Sequence, residues 1–258
     1  MNPISDTFFR QMVSRAIRRD YLENVTGFAL LFLQPLMLLA IYTFVFTTIF
    51  KARVAGDSSV AFVPYLAVAF WPWTAFSESV LRASGSVRSN AALIGKVAIP
   101  AEAIPLSTVT AAFLMNMAGY LAVLLVMQLL GTSLNWPGLL AALPLLLMMF
   151  LFSCALALFL SALQVFLRDV GKILPPLMTF WFFATPILYS SSVLPERAAV
   201  LMKFNPMAWY VERLRDFILF GNFELSARDL AVPVLTLLLL WAAHRFFKRV
   251  SSHFEDFL

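Results

Sequence analysis

Residues 103–167 decide the fold, and they read AIPLSTVTAAFLMNMAGYLAVLLVMQLLGTSLNWPGLLAALPLLLMMFLFSCALALFLSALQVFL. The stretch contains no Asp, Glu, Lys, Arg or His, and the nearest charged residues are Glu102 and Arg168. A single helix needs roughly 20 apolar residues to cross a bilayer, so this stretch is long enough for two crossings. A short polar break, Gly131–Pro137, lies near its middle. The sequence therefore predicts two membrane-spanning helices joined by a tight turn.

The composition of the whole chain agrees with a membrane protein. The chain is 61% hydrophobic and 13% charged, whereas soluble domains are typically about 25% charged. Its single cysteine, Cys154, lies inside an apolar run, which excludes an intrachain disulfide and a cysteine-based metal cluster. The net charge of +5 comes from basic residues at the ends of apolar segments. That placement is typical of membrane orientation, and we expect no nucleic-acid partner and no metal site.

Four further apolar segments complete an all-α integral membrane protein with six transmembrane helices in one domain, residues 1–258. The predicted spans are residues 27–50, 60–81, 105–130, 137–167, 173–190 and 230–246, each given approximately. Thr185-Pro186 interrupts the fifth predicted span.

The first 22 residues combine four arginines with an apolar arc at helical spacing. The arc contains Ile4, Phe8, Phe9, Met12, Val13, Ala16 and Ile17. Such a pattern favours a helix lying in the membrane interface. Arg15 and Arg19 fall inside the arc and would have to extend their charged ends to water. The alternative is a solvated basic tail.

Residues 190–229 predict a short helical hairpin before the last span. Ala198–Phe204 is too short to cross a membrane. Asn205 is a good N-cap, Pro206 a good first helical residue and Gly221 a good C-terminal stop for the second helix. The favoured interpretation is a hairpin that enters the outer leaflet and returns, which requires protein or a water-filled cavity around its ends. The alternative is an ordinary external amphipathic hairpin.

The distribution of Lys and Arg predicts the orientation. With six spans and both termini in the cytoplasm, 12 of the 19 basic residues lie in cytoplasmic segments. Outside the hairpin segment only two, Lys51 and Arg53, lie on the other face. Positive residues concentrate on the cytoplasmic side of membrane proteins, so both termini are predicted to be cytoplasmic.

The motifs of several enzyme and transporter classes are missing from the sequence. There is no His-Glu-x-x-His, no Gly-x-Ser-x-Gly and no phosphate-binding Gly-x-x-x-x-Gly-Lys-Ser/Thr. Ion-driven transporters place ionisable residues inside their helices, and here the nearest candidate is Glu78, which we interpret as interfacial. The sequence thus indicates neither nucleotide hydrolysis by this chain nor ion coupling.

Aromatic side chains offer the most distinctive surface of the predicted spans. Phe28, Phe32, Tyr42 and Phe46 lie on one face of the first span. The fifth span supplies Phe180, Trp181, Phe183 and Tyr189. Aromatic rings stack on sugar rings while their polar tips hydrogen-bond hydroxyls, so these eight residues are candidates for a substrate conduit. The alternative is packing against other helices or lipid.

The order of short motifs along the whole chain resembles the permease subunits of ABC-type polysaccharide exporters, especially those for lipopolysaccharide O-antigen. The matching stretches are Lys96-Val97-Ala98-Ile99-Pro100 with Glu102; Ile104-Pro105-Leu106; Phe166-Leu167-Arg168-Asp169-Val170-Gly171; Thr185-Pro186-Ile187-Leu188-Tyr189; Leu194-Pro195-Glu196-Arg197; Asn205-Pro206; and Phe254-Glu255-Asp256-Phe257-Leu258. Tyr21, Gly27 and Pro35 fit the N-terminal pattern of that family.

The resemblance implies a homodimeric permease of the bacterial inner membrane that pairs with two copies of a separate ATPase. ATP and Mg²⁺ would be bound by the ATPase, with no cofactor on this chain, and the cargo would be a lipid-linked polysaccharide. The resemblance also implies that the loop around residues 88–100 docks on the ATPase. The candidate coupling residues are Arg88, Lys96, Glu102, Arg168 and Asp169.

Two other functions stay open from the sequence. One is the permease of a different ABC exporter, for capsule, teichoic acid or drugs. The other is a membrane-embedded enzyme acting on lipid or glycan, which would need a catalytic constellation that the sequence does not offer.

Overall fold

The described part of a computed structural model covers residues 3–19, 25–49, 61–94 and 100–257, and its regular secondary structure is entirely helical. The helices are α1 (Pro3–Ile17), α2 (Val25–Phe44), α3 (Phe62–Ser84), α4 (Ser86–Ser89), α5 (Ala103–Leu129), α6 (Trp136–Phe166), α7 (Val170–Phe183), α8 (Glu196–Met202), α9 (Pro206–Arg215) and α10 (Arg228–Ser251). Wider turns extend α2 over Val45–Ile49 and α9 over Asp216–Phe220. These ranges contain no β-strand, which confirms the all-α prediction.

Three helices within the described ranges are both long and apolar enough to cross a membrane. They are α5, α6 and α10, and α7 is a shorter apolar helix. Helices α2 and α3 occupy the first two predicted spans. The count of six spans stays a prediction.

The turn between α5 and α6 forms where the polar break was predicted. Gly131 has a φ of 89°, a left-handed conformation that costs glycine little. Asn135 caps α6, since its side-chain oxygen accepts a hydrogen bond of 3.0 Å from the Gly138 amide. Its own amide donates to the Ile218 carbonyl over 2.9 Å, which joins α6 to the end of α9.

Gly138 permits this close approach of α6 to the extension of α9. A Cβ atom at position 138 would lie 1.7 Å from the Phe217 carbonyl oxygen. Because that neighbour is backbone, the contact cannot be relieved by a side-chain rotation. The glycine is therefore required by the packing of the two helices rather than by its backbone angles.

The central helix is α3, which packs against α2, α5, α6, α7 and α9. Leu66, Ala67, Val68 and Ala69 are completely buried. Small residues such as these alanines let neighbouring helices approach closely, which is how helices pack in lipid.

Pro72 breaks the hydrogen-bond ladder of α3 because it has no amide hydrogen. The carbonyl four residues earlier, that of Val68, loses its helical donor as a result. The Tyr120 hydroxyl on α5 donates to that carbonyl over 3.3 Å. A side chain from the next helix thus satisfies the backbone group that Pro72 frees, as lipid-embedded helices require.

The fifth predicted segment differs from the structure at both ends. Helix α7 begins at Val170 and ends at Phe183, and residues 184–190 form turns. The predicted interruption at Thr185-Pro186 is instead the end of the helix, because a residue before proline is disfavoured in the helical region. The Thr185 hydroxyl donates to the Trp181 carbonyl over 2.8 Å and helps to close the last turn.

Helix α1 lies along α5. Ala16 is buried, while Arg10, Arg15, Arg18 and Arg19 are exposed. The other described members of the predicted apolar arc, Phe8, Phe9, Met12, Val13 and Ile17, are half-buried. The helix is as predicted, and its position at a membrane surface stays a prediction.

We expect Tyr120→Phe to lower the free energy of unfolding by about 1–2 kcal/mol, because the Val68 carbonyl is left without a donor in the core. The matched control is Tyr189→Phe, because the hydrogen bond from the Tyr189 hydroxyl to the Phe183 carbonyl is exposed to solvent. Thermal unfolding of both purified variants in the same detergent measures the difference. Equal loss in the two variants would contradict the role assigned to Tyr120.

Candidate functional site

An aromatic cluster occupies the contact between α2, α3, α6 and α7. Its members are Tyr42, Phe70, Trp73, Phe76, Phe152, Trp181 and Phe182. The Trp181 ring meets Phe76 at 5.4 Å between centroids and Trp73 at 6.1 Å, both edge-on. Tyr42 stacks on Phe182 at 5.9 Å. These are the favoured geometries of packed aromatic pairs.

The predicted conduit residues fall into different environments. Trp181 lies in the aromatic cluster, and its indole nitrogen donates to the Asn205 side-chain oxygen over 2.9 Å. Phe180 and Phe183 on the same helix are exposed at 71% and 54%. Tyr42 and Tyr189 are half-buried. The conduit role of these five residues stays a prediction.

The other three predicted conduit residues, Phe28, Phe32 and Phe46, have side chains outside the described part of the structure. Their role also stays a prediction.

Asn205 connects the end of α7 to the start of α9. Its side-chain oxygen accepts from the Trp181 indole and from the Met207 amide over 3.0 Å, so the predicted N-cap is confirmed. Its side-chain nitrogen donates to the Ala184 carbonyl and the Thr185 hydroxyl, both over 3.0 Å. The side-chain amide therefore makes hydrogen bonds through both its oxygen and its nitrogen, and it fixes the end of α7 relative to the start of α9.

Arg215 anchors α9 in the interior of the bundle. Its guanidinium donates to the carbonyls of Tyr65, Pro186 and Ile187 over 3.0, 2.6 and 2.6 Å. It also lies 3.5 Å from the centre of the Tyr65 ring, a cation–π contact. The residue is 3% exposed. Burial lowers the pKa of the Arg215 guanidinium to about 10, which still leaves it charged near neutral pH.

A second set of polar contacts ties α9 to the start of α10. The Nε atom of Arg213 lies 2.7 Å from the Asp229 carboxylate. Trp209 donates from its indole to the same carboxylate over 3.1 Å. Arg213 also donates to the Glu224 carbonyl over 2.7 Å. Both arginines of α9 are thus held by named acceptors.

These contacts pack α9 into the bundle. The residues Met207–Val211 are all buried, whereas most of α8 is exposed or half-buried. Gly221 ends the extension of α9 with a φ of 62°, as predicted. Protein thus surrounds α9, the condition that re-entry into the membrane requires. Re-entry itself stays a prediction.

Sequence reasoning missed Arg215 as a structural anchor, since the basic residues of the hairpin segment were considered only by their side of the membrane. The sequence of α9 gives no local signal for this burial. Glu212, Arg215 and Asp216 fall within about 100° of one another around the helix, which is the pattern of an ordinary solvated polar face.

The predicted coupling residues cluster at the opposite end of the bundle. A small apolar core there joins α4, α6, α10 and the C-terminal turn through Val87, Val165, Phe247 and Phe254. Arg88 follows Val87, while Arg168 and Asp169 follow the end of α6 and are exposed.

Glu102 precedes α5 at this end of the bundle, and its carboxylate lies 3.5 Å from the Lys248 ammonium on α10. Lys96 lies outside the described residues. The structure brings the four described candidates, Arg88, Glu102, Arg168 and Asp169, to one end of the molecule. Their coupling role stays a prediction.

Gln164 packs under the turn between α6 and α7 at this end. Its side-chain nitrogen lies 2.6 Å from where a Cβ on Gly171 would be. Its side-chain oxygen is buried, and none of the described residues donates a hydrogen bond to it. The glycine in the Arg168-Asp169-Val170-Gly171 stretch therefore makes room for this glutamine.

No metal site is formed within the described part of the chain, where no three His, Cys, Asp or Glu side chains lie close enough together. The described structure therefore provides the aromatic cluster, the helix α9 held in the bundle, and the surface at the opposite end that carries Arg88, Glu102, Arg168 and Asp169.

We expect Arg215→Lys to lower the free energy of unfolding by about 2–4 kcal/mol. Lysine keeps the charge but cannot reach three divergent carbonyls, and buried acceptors are left unpaired. The matched control is Arg197→Lys on α8, where the side chain is exposed. Thermal unfolding in detergent gives the difference, and an unchanged transition temperature for Arg215→Lys would contradict the anchor.

Comparison with known proteins places these features in a family. Residues 7–219 match the family described as ABC-2 type transporter. The O-antigen export system permease protein RfbA of Myxococcus xanthus is 28% identical over 250 residues, covering 95% of this chain and 93% of that protein.

Two further relatives carry the same name and come from Klebsiella pneumoniae. One is 26% identical over 219 residues, covering 83% of this chain and 81% of the relative. The other is 24% identical over 251 residues, covering 96% and 93%. The similarity to O-antigen export permeases thus extends along nearly the whole chain and confirms the resemblance seen in its motifs. The chain is a member of the ABC-2 type transporter family of membrane proteins.

Proposed function

We propose that this chain is the permease subunit of an ATP-driven exporter that moves a lipid-linked polysaccharide of the O-antigen type across the bacterial inner membrane. The observation that carries the proposal is its similarity to three O-antigen export permeases, two of them over more than nine-tenths of both chains. The long apolar helices α5, α6 and α10 support a position in the membrane.

The energy for export would come from a separate ATPase that binds ATP and Mg²⁺. The sequence lacks a phosphate-binding loop, and ABC transporters divide transport and hydrolysis between such subunits. The working unit would be a homodimer of this chain with two ATPase copies. The end surface that carries Arg88, Glu102, Arg168 and Asp169 is the docking face in this proposal, and Lys96 would belong to it.

Six spans with both termini in the cytoplasm are part of the same proposal. The excess of basic residues in the predicted cytoplasmic segments supports it. The docking face then lies in the cytoplasm, and the hairpin of α8 and α9 lies at the outer side.

The glycan path would pass the exposed aromatic rings of α7. Phe180 and Phe183 are the most exposed of the described candidates. Trp181 is held by Asn205 and by neighbouring rings, so its contribution would be to fix the position of α7. Uncharged aromatic rings suit a polymer that has to slide, because a sugar ring can stack on them at many positions along the polymer.

Deletion of the gene in its native host tests the proposal. We expect the long-chain glycan to disappear from the cell surface and to accumulate inside, and the wild-type chain to restore export. The chain, purified from membranes, should carry an ABC ATPase subunit with it. A normal surface glycan after deletion would contradict the proposal, and loss of capsule or teichoic acid instead would assign a different exported polymer.

A further inference from the structure

Three adjoining cavities meet at Thr110 on α5. They have volumes of about 350, 660 and 940 Å³, and Thr110 lines all of them. Phe9 of α1 is shared by the first two, and Phe150 of α6 by the last two. Because they share these lining residues, the three cavities adjoin one another. Together they are here called the α5–α6 groove, which extends from α1 along the face of α5 and α6.

The long part of the groove is apolar and open to the side of the bundle. Its walls include Leu121 and Leu125 of α5 and Leu140 and Leu143 of α6, all of which are more than half exposed. From Thr110 to Leu125 the groove follows α5 for about 22 Å at a rise of roughly 1.5 Å per residue. One leaflet of the hydrocarbon core is about 15 Å thick, so a hydrocarbon chain of one leaflet fits lengthwise.

At the α1 end of the groove, polar and positively charged side chains lie beside apolar ones. Arg10, Ser14 and Arg18 line the cavity of about 350 Å³. Their spacing of four residues puts them on one face of the helix. Both arginines are exposed, and neither belongs to an ion pair within the described residues. Two free guanidiniums beside a hydroxyl are the groups that bind a phosphate oxygen well.

The groove lies on the other side of α6 from the aromatic cluster. Phe150 lines the groove, whereas Phe152 packs against Trp181 at 6.3 Å between ring centroids. Two residues along a helix correspond to a rotation of about 200°, so the two rings point in nearly opposite directions. An occupant of the groove is therefore separate from the proposed path of the exported glycan.

We propose that the α5–α6 groove binds an anionic phospholipid of the bilayer, with its phosphate at Arg10, Ser14 and Arg18 and an acyl chain along α5 and α6. The charge of the polar end and the apolar length of the rest match the two parts of such a lipid. This site goes beyond the export function, and it relies on α1 lying at the cytoplasmic membrane surface. The bound lipid holds α1 against α5, because a ligand of the folded state stabilises that state.

Lipid retention by the purified full-length protein tests the site. The protein is delipidated in detergent, titrated with phosphatidylglycerol or phosphatidylcholine, and examined by native mass spectrometry. We expect phosphatidylglycerol to bind roughly tenfold more tightly, since each basic residue near an anionic head group adds substantially to affinity. The variant Arg10→Gln/Arg18→Gln should reduce that preference to less than about twofold.

Two further variants separate the head-group and chain contacts. The control Arg197→Gln/Arg249→Gln removes two exposed arginines that line none of the three cavities, and it should keep the preference. Thr110→Phe fills the junction of the cavities and should weaken phosphatidylglycerol binding although both arginines remain. The Thr110 hydroxyl donates only within α5, to the Leu106 carbonyl, so the fold should persist, as thermal unfolding will verify.

The proposal is overturned if the wild-type chain binds the two lipids equally, if the double glutamine variant keeps the preference, or if Thr110→Phe binds like the wild type. Displacement of phosphatidylglycerol by an equimolar polyprenyl diphosphate would assign the groove to the exported lipid and also overturn it. Failure of the export test leaves these lipid measurements unaffected, so the two proposals fail separately.

Discussion

The buried guanidinium of Arg215 is the constraint on which the α9 end of the bundle depends. A charge removed from water is tolerated only when polar partners replace the lost hydration. The partners here are three backbone carbonyls from α3 and from the turn after α7. The carbonyls of Pro186 and Ile187 lie beyond the end of α7, where no helical amide reaches them. Arg215 therefore needs these carbonyls to compensate its burial, and the carbonyls after α7 need Arg215 as their hydrogen-bond donor.

Several close contacts at this end follow from the same arrangement. With α9 fixed by Arg215, its extension meets the start of α6 so closely that position 138 has to be glycine. Asn205 then joins α9 to Ala184, Thr185 and Trp181, which orients the aromatic side of α7. The exposed rings of Phe180 and Phe183 thus lie on a helix whose C-terminal end is held by both Asn205 and Arg215.

Much of this fold was predictable from the sequence, because lipid imposes strict rules on apolar segments. The uncharged stretch of residues 103–167 predicts α5, α6 and the turn between them, and the structure has all three. The N-cap at Asn205 and the helix end at Gly221 were predicted from local backbone chemistry, and the structure confirms both. The motif order indicates the family that the comparison shows.

What the sequence did not reveal depends on contacts between distant residues. Arg215 and Tyr65 are 150 positions apart, and no local pattern pairs them. The prediction of orientation assumed that the arginines of the hairpin segment are solvated. Arg213 and Arg215 are instead buried beside hydrogen-bond acceptors. The end of α7 was missed because Thr185-Pro186 was interpreted as an interruption within the fifth span. In the structure the carbonyls of Pro186 and Ile187 accept from Arg215 of α9 instead of continuing the helix.

Amide hydrogen exchange of the wild-type protein in lipid nanodiscs tests the central claim most directly. Exchange reports the free energy of local opening. The account predicts that the amides of Tyr210–Leu214 in α9 exchange as slowly as those of α3, while the exposed helix α8 exchanges much faster. If α9 exchanged at the rate of α8, the hairpin would be a surface element, and Arg215 would not anchor it in the bundle.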